Sequence, residues 1–241
     1  MLVVMDQRLR NAGITLQRMV WTRRAQSWED TPNPGLNRVT NEIVRLASEQ
    51  PFDVAVDLGC GSGQLALPLA SYAKHVIAVD IAPTMLEILS KKAASQQISN
   101  VETRCDALES LKIDDGSVDL IVSNYVLHHL ADTDKVAIVN ASHRWLKPGG
   151  RFILGDMMFG RGATVEDRKI IAEKLRKLAL LGPGGWWRIL KNVARFTFRI
   201  QEKPVSAETW RRYLEQAGFK EITITPFVAE ASIAIATKSP S

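Results

Sequence analysis

The chain has 241 residues, 46% hydrophobic and 24% charged, a composition with enough apolar surface for a sizeable core and no need of a disulfide scaffold. Its two cysteines, Cys60 and Cys105, show no CxxC or Cys/His ligand spacing, so no metal site is expected and two free, mostly buried thiols are. The formal net charge of +5 attracts anionic partners without choosing among nucleic acid, lipid headgroups and acidic metabolites.

The apolar run Leu2 to Met5 is too short for a signal-peptide core, and no stretch approaches the roughly 20 apolar residues of a membrane-spanning helix. A cytoplasmic protein is expected. Residues 1–35 are polar and basic, contain Trp21 and Trp28, and end in Thr31-Pro32-Asn33-Pro34-Gly35, the pattern of an N-terminal arm closed by a turn. The main domain, 36–241, opens with Val39, Ile43, Leu46 and Ala47 at helical spacing.

The pattern then alternates. Phe52 to Asp57 reads as a strand, followed by Leu58-Gly59-Cys60-Gly61-Ser62-Gly63 and a helix through Ala66, Leu67, Leu69 and Ala70. His75 to Asp80 is the second strand, and Pro83 stands at the start of a helix over Met85 to Ser95. Val101 to Cys105 and Val118 to Ser123 are the third and fourth strands. A helix covers Asp132 to Leu146, Lys147 to Gly150 is a turn, and Arg151 to Leu154 is the fifth strand. Strands alternating with helices of this length make a parallel, doubly wound α/β sheet. The tail differs: a helix over Ser206 to Ala217, capped by Ser206 and stopped at Gly218, precedes two closely spaced strands, Glu221 to Pro226 and Ala231 to Thr237, expected as an antiparallel pair.

A helical insertion, about 157–205, lies between the fifth strand and the tail. Residues 161–212 hold 13 Lys or Arg against five Asp or Glu, so the rest of the chain is slightly acidic. Within the insertion, Val165 to Leu180 reads as a charged helix. Arg188, Lys191, Arg195 and Arg199 share one face of a helix over 186–200, opposite Trp186, Ile189, Leu190 and Val193. Such a helix either lies at a membrane surface or covers a core with its apolar side. A nucleic-acid surface would want a broader basic footprint and a recognisable binding motif.

The chemistry concentrates at strand ends. Glycines after the first strand let the backbone approach a ligand, and the following helix presents free N–H groups. The spacing is G-x-G-x-G: Gln64 occupies the third glycine position of a dinucleotide fingerprint. Asp57, Asp80 and Asp106 stand at or just after three successive strand ends, and carboxylates so placed are costly unless they meet water or a ligand.

Asp57 to Gly63, Asp80, Cys105-Asp106-Ala107, Asp119 to Asn124, His128-His129-Leu130 and Leu146 to Gly150 resemble, in order and spacing, the motifs of class I S-adenosylmethionine-dependent methyltransferases. The resemblance covers roughly 50–155 and implies a mostly parallel seven-stranded sheet whose last strand is antiparallel. It implies that the loop from Asp57 through Gly59, Cys60, Gly61 and Gly63 holds the methionine part of S-adenosylmethionine. Asp80 takes the ribose hydroxyls, with Ile81 against the adenine. Asp106 bonds the adenine amino group beside Ala107, and Asn124 and Tyr125 face cofactor and acceptor. S-adenosylhomocysteine is the implied product, and a small or lipid-like molecule the expected acceptor.

His128 and His129 are either bases for a hydroxyl acceptor or histidines bonded to nearby backbone. Methyltransferases of quinone pathways typically carry Gly-Leu-Arg-Asn after the fourth strand, where this chain has Val126-Leu127-His128-His129, a departure that counts against a quinone. An RNA methyltransferase and a non-catalytic cofactor-binding module remain the alternatives. Oligomeric state is not readable from the sequence.

Overall fold

The computed structural model describes residues 2–29, 33–159, 203–228 and 231–240, together with 168, 172 and 176; for 2–12 only the backbone is described. The charged helix expected over 165–180 lies almost wholly outside the described residues, and the amphipathic helix expected over 186–200 lies wholly outside them.

Helix α1 (Leu2–Glu29) occupies most of the expected N-terminal arm, and α2 (Pro34–Ser48) follows. Asn33 caps α2 by accepting from the Leu36 amide at 3.1 Å, with Pro34 in the first turn where its missing N–H costs nothing. The repeating units are β1 (Val54–Leu58), α3 (Ala66–Leu69), β2 (His75–Asp80), α4 (Pro83–Ser95), β3 (Val101–Cys105), β4 (Val118–Asn124), α5 (Asp132–Trp145) and β5 (Leu146–Met157). A single 3-10 turn, Leu127–His129, follows β4. The tail supplies α6 (Ala207–Gln216), β6 (Lys220–Val228) and β7 (Ala231–Thr237).

The seven strands order as β3-β2-β1-β4-β5-β7-β6, with β7 antiparallel to both neighbours and the remaining pairs parallel. The doubly wound, seven-stranded expectation is met. Lys147 to Gly150, expected as a turn, falls instead within β5, where the register against β4 shifts between Val118 and Leu120. Asp119 braces this irregular stretch: it accepts from Lys147 Nζ at 2.7 Å and from the Val54 amide at 2.8 Å.

The period-2 alternation of each strand builds two cores. Val56, Ile77, Val79, Ile121, Phe152 and Leu154 face α5 and α6, where Trp145, Trp210 and Leu214 pack. Ala55, Val76, Ala78, Leu120, Val122 and Ile153 face the other way, against Val39 and Ile43 of α2 and Leu86 and Leu89 of α4. With both faces covered, the central strands read as near-continuous apolar runs.

Two residues of β5 set the position of α2. Arg151 is buried and donates to the carbonyls of Leu46 and Ala47 at 3.0 and 2.7 Å, satisfying groups that the helix end leaves open. Gly155 lets the helix approach: a β-carbon there would lie 2.5 Å from Val39 Cγ1 and 2.8 Å from Ile43 Cδ1. Gly155→Ala is expected to push α2 off the sheet and cost about 1–3 kcal/mol, read as a lower midpoint in chemical denaturation; an unchanged midpoint would show that α2 yields freely.

Candidate active site

The strand order reverses between β1 and β4, so the carboxyl ends of these strands open a crevice. A solvent-open cleft of about 900 Å³, its open mouth included, lies there. The loop after β1 forms its floor. Gly59 and Cys60 both donate to the Val79 carbonyl, at 2.8 and 2.9 Å, which holds the loop against the end of β2. Gly59 has φ 74°, and a β-carbon on it would lie 2.4 Å from the Val126 side chain, so both conformation and space demand glycine.

Three acids come to this cavity from three strand ends. Asp57 is 1% exposed, lines the cavity, and its Oδ2 has no hydrogen-bond partner. Burial pushes its carboxyl up to about 8, the Ala66 amide pulls it down, and the nearby Asp80 charge adds to the rise. Asp80 accepts from the Gly61 amide at 2.9 Å and the Ala82 amide at 2.8 Å. Burial nevertheless raises its carboxyl above the ordinary range, because these donors, with Ile81, do not outweigh desolvation. Asp106 stands exposed at the rim.

Of the other expected residues, Gly59, Cys60, Gly61, Ile81, Asn124 and Tyr125 line the cavity; Gly63 and Ala107 do not. Asn124 donates to Thr40 Oγ1 at 2.9 Å and keeps a buried Oδ1 without a partner. Tyr125 sits at φ 55°, a conformation rare outside glycine, and its amide donates to the Gly155 carbonyl at 2.8 Å. Burial raises the Cys60 thiol well above its usual value; Cys105, expected to be mostly buried, is exposed at the outer strand β3.

The two histidines separate. His129 lines the cavity with its ring against Trp21, centroids 5.2 Å apart. His128 does not line it. Its ring Nδ1 lies 2.5 Å from Asp156 Oδ1, and its amide donates to Asp156 Oδ2 at 2.9 Å. Asp156 is fully buried on β5, so His128 is bonded to a side chain rather than to the backbone partner expected.

The roof comes from the N-terminal arm, whose Trp21 and Trp28 read from the sequence as lid anchors, interface residues or, most simply, packing. Gln17, Trp21 and Trp28 of α1 line the cavity, as do Met85 of α4 and Leu108 and Glu109 after β3. The Trp rings meet edge to face, centroids 5.6 Å apart. Both tryptophans stood out in the sequence, but nothing in a helix of mixed polarity says which face covers a ligand. Among the described residues no group of acids, histidines and cysteines is arranged to hold a metal ion.

Comparisons with known proteins bear on the family and the fold. A family model described as a methyltransferase domain matches residues 55–150. The Zymomonas mobilis ubiquinone/menaquinone biosynthesis C-methyltransferase UbiE is 30% identical over 205 residues, covering 83% of this chain and 81% of that protein. The chain belongs to the class I S-adenosylmethionine-dependent methyltransferases. A second methyltransferase, uncharacterised YcgJ of Bacillus subtilis, is 37% identical over 114 residues, 47% of this chain; the match spans only 44% of that protein's length. Among solved structures, the N-methyltransferase NodS of Bradyrhizobium japonicum, in complex with S-adenosylhomocysteine, superposes with a TM-score of 0.64 at 17% identity, over 92% of this chain and 97% of that one. The family model spans β1 to the start of β5, and the tail strands β6 and β7 complete the sheet.

Asp57 has a measurable signature. Its folded carboxyl is pushed up to about 8, while in the unfolded chain it ionises in the ordinary range of an aspartate, near 3.8. Between these values the unfolded state binds fewer protons, so this residue makes stability fall as pH rises. Without ligand, Asp57→Asn is expected to be more stable than the unchanged chain at pH 7, with a gap that widens by about 1 kcal/mol per pH unit between pH 4 and 8. Denaturation at several pH values checks this; a constant gap would show that Asp57 is ionised in the fold.

Proposed function

We propose that this enzyme moves the methyl group of S-adenosylmethionine to a small or lipid-like acceptor that enters between Trp21, Tyr125 and His129. One observation carries the reading: a single cavity joins the acids Asp57 and Asp80 to an apolar wall that includes Trp21, Val126 and Leu130, with His129 in it. An acidic floor suits a cofactor with cationic groups, and an apolar wall suits an uncharged acceptor.

The chain's residues fit that cofactor. Asp57 Oδ2, buried without a partner, is a place for a cationic amino group, and a cation there would restore its ionised form. Asp80 has lone pairs left for the ribose hydroxyls. Ile81 and Met85 offer apolar contact to the adenine, and Asp106 stands at the rim to accept from its amino group. When bound, the cofactor supplies a methyl group already activated by its sulfonium, so alignment and exclusion of water are what the protein must add. Trp21 and Trp28 exclude water from above. Tyr125, fixed by the hydrogen bond its amide donates to the Gly155 carbonyl, sets one wall of the acceptor space.

His129 is the group in that wall suited to take a proton from a hydroxyl acceptor, at a ring nitrogen. Its backbone carbonyl accepts from Gln17 Nε2 at 3.4 Å, so the turn and the roof are tied together. His128, held by Asp156, keeps the turn in place rather than facing the acceptor. The name of the Zymomonas relative points to small-molecule methylation. The Val126-Leu127-His128-His129 turn still argues against a quinone as the acceptor of this chain. No helix among the described residues is long and apolar enough to cross a membrane. A lipid-like acceptor would be met at a membrane surface, for which the basic segment 186–200 is the proposed contact.

The test is transfer of labelled methyl from S-adenosylmethionine into a cell extract divided into organic, aqueous small-molecule, protein and RNA fractions. Label in the organic or aqueous fraction is expected. Label confined to RNA or protein would overturn the acceptor class, and no label despite cofactor binding would favour a binding module. On an identified hydroxyl acceptor, His129→Ala is expected to slow turnover by about 10²-fold or more; unchanged turnover would remove His129 as the base.

A further inference from the structure

Glu29 is the last residue of α1. A helix C-terminus carries partial negative charge, so a carboxylate there is unfavourable unless something outside the helix compensates. The last turn of α1 has no basic residue to do so. The compensation comes from two other elements. Lys92 of α4 pairs with Glu29 Oε1, and Ser62 donates to Glu29 Oε2 at 2.5 Å, with Lys92 Nζ 3.5 Å from the Ser62 hydroxyl. Burial pushes the Glu29 carboxyl up, but the bonds from Lys92 and Ser62 outweigh it and leave it below the ordinary range.

Ser62 is the informative member. It lies between Gly61 and Gly63 in the loop after β1 and is fully buried, where a hydroxyl must have an acceptor. That acceptor is on α1, so the roof and the floor of the cavity share one hydrogen bond. Among the described residues α1 is also attached through Gln17 and Trp21, which meet the His129 carbonyl and ring, and through one small apolar cluster. Ala25 packs with Ala82 and Met85, beside Trp21, Trp28 and Ile88, in a cluster separate from the two cores that flank the sheet. The Thr84 hydroxyl adds one bond to the Thr22 carbonyl at 3.2 Å. A helix held this way can leave without opening either core.

We propose that Glu29 is a positioning residue which, through Ser62, latches α1 over the glycine loop, so that cofactor release requires this contact to break. The inference rests on the cofactor reading of the cavity. It assigns to α1 a role in retention: the helix closes on the same loop that holds the ligand, and each stabilises the other. Lys92 neutralises the carboxylate without touching the cavity.

Release of bound S-adenosylhomocysteine from the full chain, followed by displacement, tests the latch. Glu29→Ala and Ser62→Ala are each expected to speed release about tenfold. The double variant is expected to be no faster than Glu29→Ala, because both changes break one contact. Glu29→Gln, which keeps an acceptor for Ser62, should recover part of the retention. Added salt should speed release from the unchanged chain and have little effect on Lys92→Met, since the ion pair is partly exposed. Unchanged release from Glu29→Ala, or a double variant whose acceleration is the product of the two single ones, would overturn the latch while leaving the cofactor site standing. Failure of the unchanged chain to bind S-adenosylhomocysteine would overturn both.

Discussion

The Asp80 carboxylate is bonded on one oxygen to the Gly61 amide and on the other to the Ala82 amide. One side chain thus joins the glycine loop, the end of β2 and the start of α4. The neighbouring Val79 carbonyl takes the next two loop amides, from Gly59 and Cys60. Together these bonds decide where the loop lies. Loop position in turn sets where Ser62 meets Glu29, how closely Val126 approaches Gly59, and which oxygen of Asp57 faces the cavity. The sheet would survive a different loop; the site would not.

Placing Asp57 and Asp80 together in low dielectric is unfavourable in the empty site, and both carboxyls respond by rising above their ordinary range. This is a cost to stability that the proposed cationic cofactor would remove, a trade between a settled fold and a poised site. The roof follows a related logic. Among the described residues α1 rests on a small apolar cluster, an ion pair and a few contacts to the turn after β4 and to α4, weaker anchors than the cores beneath it, which suits the retention role proposed for it. The cavity wall at His129 is framed by the turn after β4, pinned by Asp156 from one side and by the Lys203 amide on the His128 carbonyl from another.

Much of this was legible in the sequence, for physical reasons. Alternation of period 2 and period 3.6, with glycine and proline at the joints, marks a doubly wound sheet. Acids at successive strand ends mark its functional edge. The irregular start of β5 was misread because Lys147-Pro148-Gly149-Gly150 carries strong turn signals, yet Asp119 and the pairing with β4 hold it within the strand. Gly155 gave no sign that a helix lies against it. His128 was ambiguous because its partner, Asp156, is 28 residues away on another strand. The contact that seats the roof was invisible for the same reason: that Glu29 reaches Ser62 and Lys92 is a fact of tertiary packing, and no local pattern encodes it.

The central claim is that the crevice at the carboxyl ends of β1 and β2 binds S-adenosylmethionine and that Asp80 is indispensable to it. The most direct measurement is calorimetric titration of S-adenosylhomocysteine into the unchanged chain and into Asp80→Ala, with the fold of each checked by circular dichroism. One site per chain and a loss of at least about tenfold in affinity in a folded Asp80→Ala are the expected results. Equal affinity in the two proteins, or no binding to the unchanged chain, would contradict the account.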